Sequence, residues 1–166
     1  MADASSIRYA ATLPAATGRN RGAVRFDTTN NAAKVSDGSD FVEFSAGPAV
    51  SFVQNGTFAT TTFFVAPQAC KVTAISEVHS TLGTDPGAVT AVVTKDTGTQ
   101  APGAGTSLHQ SGSFNLKGAN NTVQNATLST TAATLTLAAG DRLAVKLTGT
   151  PTALAGAVVT AQIAWL

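Results

Sequence analysis

Apolar and polar residues alternate with a period of two over much of the later sequence. Near its end, Ala157, Val159, Ala161, Ile163 and Trp165 share one parity, while Thr160 and Gln162 take the other. That is the pattern of a strand buried on one face. Leu135 and Leu137 alternate up to a turn at Ala138-Ala139-Gly140-Asp141, and Leu143, Val145 and Leu147 alternate after it. From Ala49 onward, strand-like segments are expected at 49–54, 57–66, 70–80, 88–95, 107–116, 122–129, 133–138, 142–148 and 156–165, separated by Gly, Pro, Asn and Asp. Only residues near Ala126–Ala133 hint at a helical period. Eight or nine short strands at this spacing predict an all-β, jelly-roll-like antiparallel β-sandwich over residues 47–166.

The earlier residues read differently. Residues 1–21 are rich in Ala, Ser and Thr, include Pro14 and Gly18, and keep no sustained period. They are expected to form an extended arm, ordered against a partner. Residues 22–46 predict a small β-hairpin module for attachment or oligomerisation. Val24-Arg25-Phe26-Asp27, Lys34-Val35-Ser36 and Phe41-Val42-Glu43-Phe44 are separated by Thr28-Thr29-Asn30-Asn31 and Asp37-Gly38-Ser39-Asp40. Asn and Asp-Gly tolerate the positive φ that tight hairpins require. So short a module cannot bury a core alone and needs a neighbour. Ser45-Ala46-Gly47-Pro48 is the expected linker.

Composition reinforces the β reading. Hydrophobic residues make up 43% of the chain, but charged residues only 11%, against roughly 25% in ordinary soluble domains. Thr, Val, Ser, Ala and Gly fill the difference, a mixture that favours a pleated surface over a helix. The net charge of +1, with scattered Lys and Arg, gives no nucleic-acid footprint. Met1-Ala2-Asp3-Ala4-Ser5-Ser6-Ile7-Arg8 has no apolar core of a secretion signal. No run reaches the ~18 apolar residues of a membrane span, so a soluble protein without membrane contact is expected. The single cysteine, Cys70, excludes an intrachain disulfide and a cysteine-based zinc site; it reads as a buried thiol.

Candidate chemistry is sparse. Glu77 and His79, two residues apart on a predicted strand, share a parity and suit a metal or an acid–base pair. With no third ligand apparent, a solvent-facing pair on a sheet is the expected reading. His109 stands in a polar stretch without an evident partner. Gly98-Thr99-Gln100-Ala101-Pro102-Gly103-Ala104-Gly105 superficially resembles a phosphate loop, but Ala104 occupies the lysine position and the chain is not βαβ. A surface loop of turn residues is expected instead. Asp37-Gly38-Ser39-Asp40 and Asp85-Pro86-Gly87 are better explained by turns than by calcium. Asn-x-Thr triplets at Asn55, Asn120 and Asn125 are ordinary in so Asn- and Thr-rich a sequence. The eight Phe, one Tyr and one Trp mostly sit in strand patterns and read as core rather than as a sugar-binding platform. No catalytic residue, metal ligand or cofactor is expected. No carboxylate pair of a polysaccharide depolymerase stands out.

Two stretches resemble virion proteins of tailed bacteriophages. Leu13-Pro14, Gly22-Ala23-Val24-Arg25-Phe26-Asp27-Thr28-Thr29-Asn30-Asn31 and Lys34-Val35-Ser36-Asp37-Gly38-Ser39-Asp40-Phe41 are similar to a small β repeat of phage tail-fibre and head-fibre proteins. Phe41 stands where that repeat usually has Trp. Thr97-Gly98-Thr99-Gln100-Ala101-Pro102-Gly103, Ala119-Asn120-Asn121-Thr122-Val123-Gln124 and Leu135–Val145 are similar to phage and prophage structural proteins of jelly-roll type. The resemblance implies a decoration, cement or head-fibre subunit, assembled in the bacterial cytoplasm and placed on the outer capsid surface. Its implied partners are itself, as a homotrimer, and the major capsid protein. Phe26, Phe41 and Phe44 are the candidate apolar contacts, with packing against the chain's own jelly roll the competing role. Arg19 and Arg21 join them as candidate interface residues. The alternative is a tail-associated or capsid-displayed domain that binds host surface glycans.

Overall fold

The computed structural model describes residues 8–10, 24–27, 32–36, 41–43, 49–53 and 57–166. The chain divides into two compact units, Met1–Ala46 and Gly47–Leu166.

The described residues of the first unit form a four-stranded sheet in the order β1 (Arg8–Ala10), β2 (Val24–Asp27), β3 (Ala32–Ser36) and β4 (Phe41–Glu43). β1 runs parallel to β2, and the other two pairs are antiparallel. Arg8–Ala10 thus pairs within its own chain, although it lies in the stretch expected to be an arm waiting for a partner. The turns expected at residues 28–31 and 37–40 lie outside the described residues.

The second unit is all β except for one helical turn, and every strand pair in it is antiparallel. Its elements are β5 (Ala49–Val53), β6 (Thr61–Val65), β7 (Cys70–Val78), β8 (Thr90–Asp96), β9 (Thr106–Ser107), β10 (Phe114–Asn115), β11 (Gln124–Asn125), α1 (Ala132–Leu135), β12 (Thr136–Leu137), β13 (Arg142–Thr148) and β14 (Val158–Trp165). One sheet has the order β11-β7-β14-β5, with β12 added on β7; the other has the order β10-β8-β13-β6, with β9 added on β8. Without the two added strands, the first sheet reads sixth, third, eighth, first, and the second reads fifth, fourth, seventh, second. This is the double Greek key of a jelly roll. The expected all-β sandwich is the observed fold.

The alternation drives the packing. Val72 and Ile75 of β7 and Val159, Ala161 and Ile163 of β14 are buried from one sheet. Ala91 and Val93 of β8 and Leu143 and Val145 of β13 are buried from the other. Together they form one core with Phe58, Leu108 and Phe114. Register shifts opposite Leu143/Ala144 and Gln162/Ile163 leave one extra residue in each partner strand, Phe63 in β6 and Thr73 in β7, and such bulges bend the strand that carries them and increase its local twist.

Three sequence expectations change in detail. The segment 107–116 is not one strand: Thr106–Ser107 and Phe114–Asn115 are separated by a loop in which Gly112 has φ +71°. The stretch 133–138 opens in the helical turn α1, and the carbonyls of Ala133 in it and of Thr136 just after it accept from Lys95 Nζ at 2.7 and 3.0 Å. Trp165 ends its strand 39% exposed instead of completing the buried row.

Candidate functional site

Of the interface residues suggested by sequence, Phe26 and Phe41 fall in strands of the small sheet. Phe26 pairs with Tyr9 on one side and Ala33 on the other, and Phe41 pairs with Ser36. Ala33 and Ser36 are three positions apart on β3, so Phe26 and Phe41 occupy registers of opposite parity. Phe44, Arg19 and Arg21 lie outside the described residues. Val24 is 45% exposed.

The clearest polar constellation lies in the second unit and corrects the expectation of a solvent-facing pair. Glu77 and His79 are both buried. Alternation along β7 turns Glu77 inward, and His79 follows the strand on the same parity. His79 Nδ1 lies 3.0 Å from Glu77 Oε1, and His79 Nε2 lies 3.3 Å from the Gly118 carbonyl. Gln124 Nε2 donates to Glu77 Oε2 at 2.8 Å and to the Asn115 carbonyl at 3.0 Å, while Gln124 Oε1 accepts from Asn115 N at 2.9 Å. Asn115 belongs to β10 of one sheet and Gln124 to β11 of the other. The Gln124 amide therefore acts as a cross-link between the sheets.

Burial pushes the Glu77 carboxyl up, an effect partly offset by the His79 hydrogen bond and charge and by Gln124. Both ring nitrogens of His79 thus meet an oxygen, one from the Glu77 carboxyl and one from the Gly118 carbonyl. Every oxygen of Glu77 and every ring nitrogen of His79 is engaged inside the fold. Chemically the arrangement is a clamp that holds residues 115–125 against β7. Among the described residues, no group of three or more His, Cys, Asp or Glu comes together to hold a metal.

His109 has partners that the sequence did not suggest. It is buried, its Nε2 accepts from Val93 N at 3.2 Å, and its ring meets Phe114 edge-on with centroids 4.9 Å apart. This geometry needs the neutral ring, and burial pushes its pKa below the ordinary 6.5. A lowered value contributes stability that is present above 6.5 and is lost as the pH falls through the folded value. Glu77 has the opposite effect: its raised value contributes stability at low pH, lost as the pH rises from 4.5 through the folded value. On acidification below 6.5 the His109 contribution therefore lowers stability and the Glu77 contribution raises it. His109→Gln removes the first, so the variant should lose less stability than wild type as the pH falls. Thermal melts of both proteins across that range test this, and an unchanged pH slope in the variant would count against it.

The glycine-rich run after β8 is a surface loop, as its turn residues suggest, but it has an internal anchor. Asp96 is buried and accepts from Thr94 Oγ1 at 2.9 Å, Gly103 N at 2.9 Å and Gly105 N at 2.8 Å. The loop does cradle an anion with its N–H groups, and the anion is the chain's own carboxylate. Arg142 donates to the Gly98 and Gln100 carbonyls at 2.7 and 2.8 Å. The tip, Thr97–Pro102, is exposed. Asp85-Pro86-Gly87 is likewise a held turn, because Lys117 Nζ donates to the carbonyls of both Asp85 and Gly87. Cys70 is buried, and that burial, with the Asp141 charge second, pushes its thiol pKa up.

The side chains missed by sequence reasoning are Gln124, Asp96 and Arg142. Only Asp96 leaves a local trace, in the glycines seven and nine residues after it. Comparison of the chain with protein-family models, with curated proteins and with solved structures finds no match in any of the three.

Proposed function

We propose that the protein is a structural subunit of a tailed-phage virion surface, a decoration, cement or head-fibre protein that acts by self-association and by docking to the major capsid protein. The observation that carries the reading is the presence in one chain of a jelly-roll unit and a separate small sheet bearing the fibre-like repeat. The strands of that sheet are three to five residues long, too few to close a core without further cover. In this reading residues 1–46 supply the homotrimer and capsid contacts. Phe26, Phe41 and Phe44 are the apolar anchors, and Arg19 and Arg21 are further contacts. The low charge of the chain fits a surface largely covered by neighbouring subunits.

The test is to add the purified protein to expanded phage capsids that lack it. Stoichiometric occupancy and a higher heat tolerance of the capsid are expected, with both lost in a Phe26→Asp, Phe41→Asp variant that retains the jelly-roll melt. No binding, or full binding by that variant, would sink the docking assignment. Light scattering should give a trimer or an assembly of trimers, and a monomer at micromolar concentration would remove the homotrimer.

A second reading, host-glycan recognition, draws on the loop Thr97–Gly105. Asp96 and Arg142 fix its backbone while its tip stays exposed, and a preorganised loop loses little entropy on binding. Reproducible glycan-array hits that vanish in Thr99→Ala would favour it.

A further inference from the structure

The two sheets of the jelly roll differ in what their outer faces carry. On the β10-β8-β13-β6 sheet, the outer positions of β13 include Arg142 and exposed Lys146. Its own loop packs over it, with Gly103 against Thr60 and Lys146. The outer face of the β11-β7-β14-β5 sheet has a different character. Register places Ser51 beside Thr160, Thr160 beside Ser76, and Ser76 beside Asn125, a hydroxyl and amide row across all four strands. Ser51 Oγ and Thr160 Oγ1 are 3.0 Å apart. Val53, Val158 and Val78 form the next row, and the same register carried one residue further brings Val123 alongside. Val53 and Val123 are 52% and 59% exposed. The row on the other side is Ala49, Gln162 and Ala74. Lys71, beside Ala164 at one end, is the only charged residue at the outer positions of these strands.

Solvated sheet faces ordinarily alternate in charged and polar groups, whereas the centres of protein interfaces are depleted of charge. Edge strands that must stay single are usually guarded by Lys or Pro, and β5 (Ala49-Val50-Ser51-Phe52-Val53) has neither. The chemistry of the face also selects its occupant. A charged partner would find nothing to pair with. A copy of the same face brings no like charges together. Its hydroxyl and amide groups both donate and accept, and its valines meet valines. The positions of these rows, spaced ~4.8 Å across strands and ~6.8 Å along them, give a footprint on the order of 400 Å² per copy, hence about 850 Å² in all, the size of a weak, concentration-dependent contact.

We infer that this face is a self-association surface, on which two copies of the chain pack face to face about a two-fold axis. The contact is distinct from any made through residues 1–46 and does not depend on the virion reading.

The test uses the full chain in sedimentation velocity across the micromolar range. Thr160→Lys puts a charge at the centre of the face and Val53→Lys puts one at its exposed edge, each adding a lysine per copy to a contact that offers no acid to pair it. Each should weaken the pairwise step by about tenfold or more, while Lys146→Thr on the other sheet leaves it unchanged. Circular dichroism melts establish that the variants are folded, and Val53→Lys, at an exposed position, keeps the test decisive if Thr160→Lys is unstable. A wild-type chain with no concentration-dependent pairing, or a folded Val53→Lys chain that pairs as well as wild type, overturns the inference. Association that survives Val53→Lys but is lost on changing Phe26 and Phe41 would confine self-association to residues 1–46 and leave the virion reading standing.

Discussion

Replacing Gly149 with alanine is expected to destabilise the jelly roll by about 3 kcal/mol or more. Gly149 has φ +90°, in the left-handed region, and follows immediately on β13. A β-carbon built there falls 2.1 Å from the Ala88 carbonyl oxygen and 3.1 Å from its carbon. Both atoms are backbone, on the segment that feeds β8, so relief requires moving one of two paired strands. Gly140 is the control. Its φ is +88°, but nothing lies within 4 Å of the added carbon, so Gly140→Ala should cost only the conformational part, about 1 kcal/mol. Urea denaturation of both variants separates the two terms. Equal losses would show that turn conformation, and not the close approach to Ala88, governs this corner.

Asp96→Ala should cost about 3 kcal/mol and free the loop after β8. The carboxylate is the acceptor for the Thr94 hydroxyl and for the Gly103 and Gly105 amides. Truncation strands these donors where water reaches them poorly, and each unsatisfied buried donor costs about 1–3 kcal/mol. Asp96→Asn retains one oxygen but turns an NH₂ toward an N–H, so it should lose an intermediate amount. Limited proteolysis gives a second readout, with cleavage within residues 97–105 appearing in Asp96→Ala and absent from wild type. A variant with wild-type melting and an intact loop would show that Arg142 alone holds the segment.

What sequence made legible follows from the range of the forces involved. Leu143 and Val145, and Val159, Ala161 and Ile163, could be assigned to a buried face because a strand's alternation is local. The burial of Glu77 and His79 could not, because the groups that satisfy them, Gln124 and Gly118, lie 47 and 39 residues later. Without those partners, two polar side chains on a strand read as solvated. His109 failed for the same reason. Its burial depends on Val93 and Phe114 and on a bridge to Leu128, none of which its neighbours in sequence announce. The short strands β9, β10 and β11 contain two residues each, too few for any period to register. Asp96 sat at the end of a visible strand, but its role rests on two glycine amides that only the folded loop presents.

The pairing of β5 with β14 has a consequence for how the chain is made. Ser51 and Thr160 touch across 109 positions of sequence. At ribosomal rates of roughly 5–20 residues per second, strand β5 waits about 5–20 s for its partner to be synthesised. During that interval neither β7 nor β5 has the neighbour that will separate them in the finished sheet. A nascent chain stalled or cut before residue 158 keeps Val50, Phe52, Val72 and Ile75 without their central cover. Such a fragment is a candidate for chaperone capture or aggregation, because β14 is the strand that joins β7 to β5 in the finished sheet.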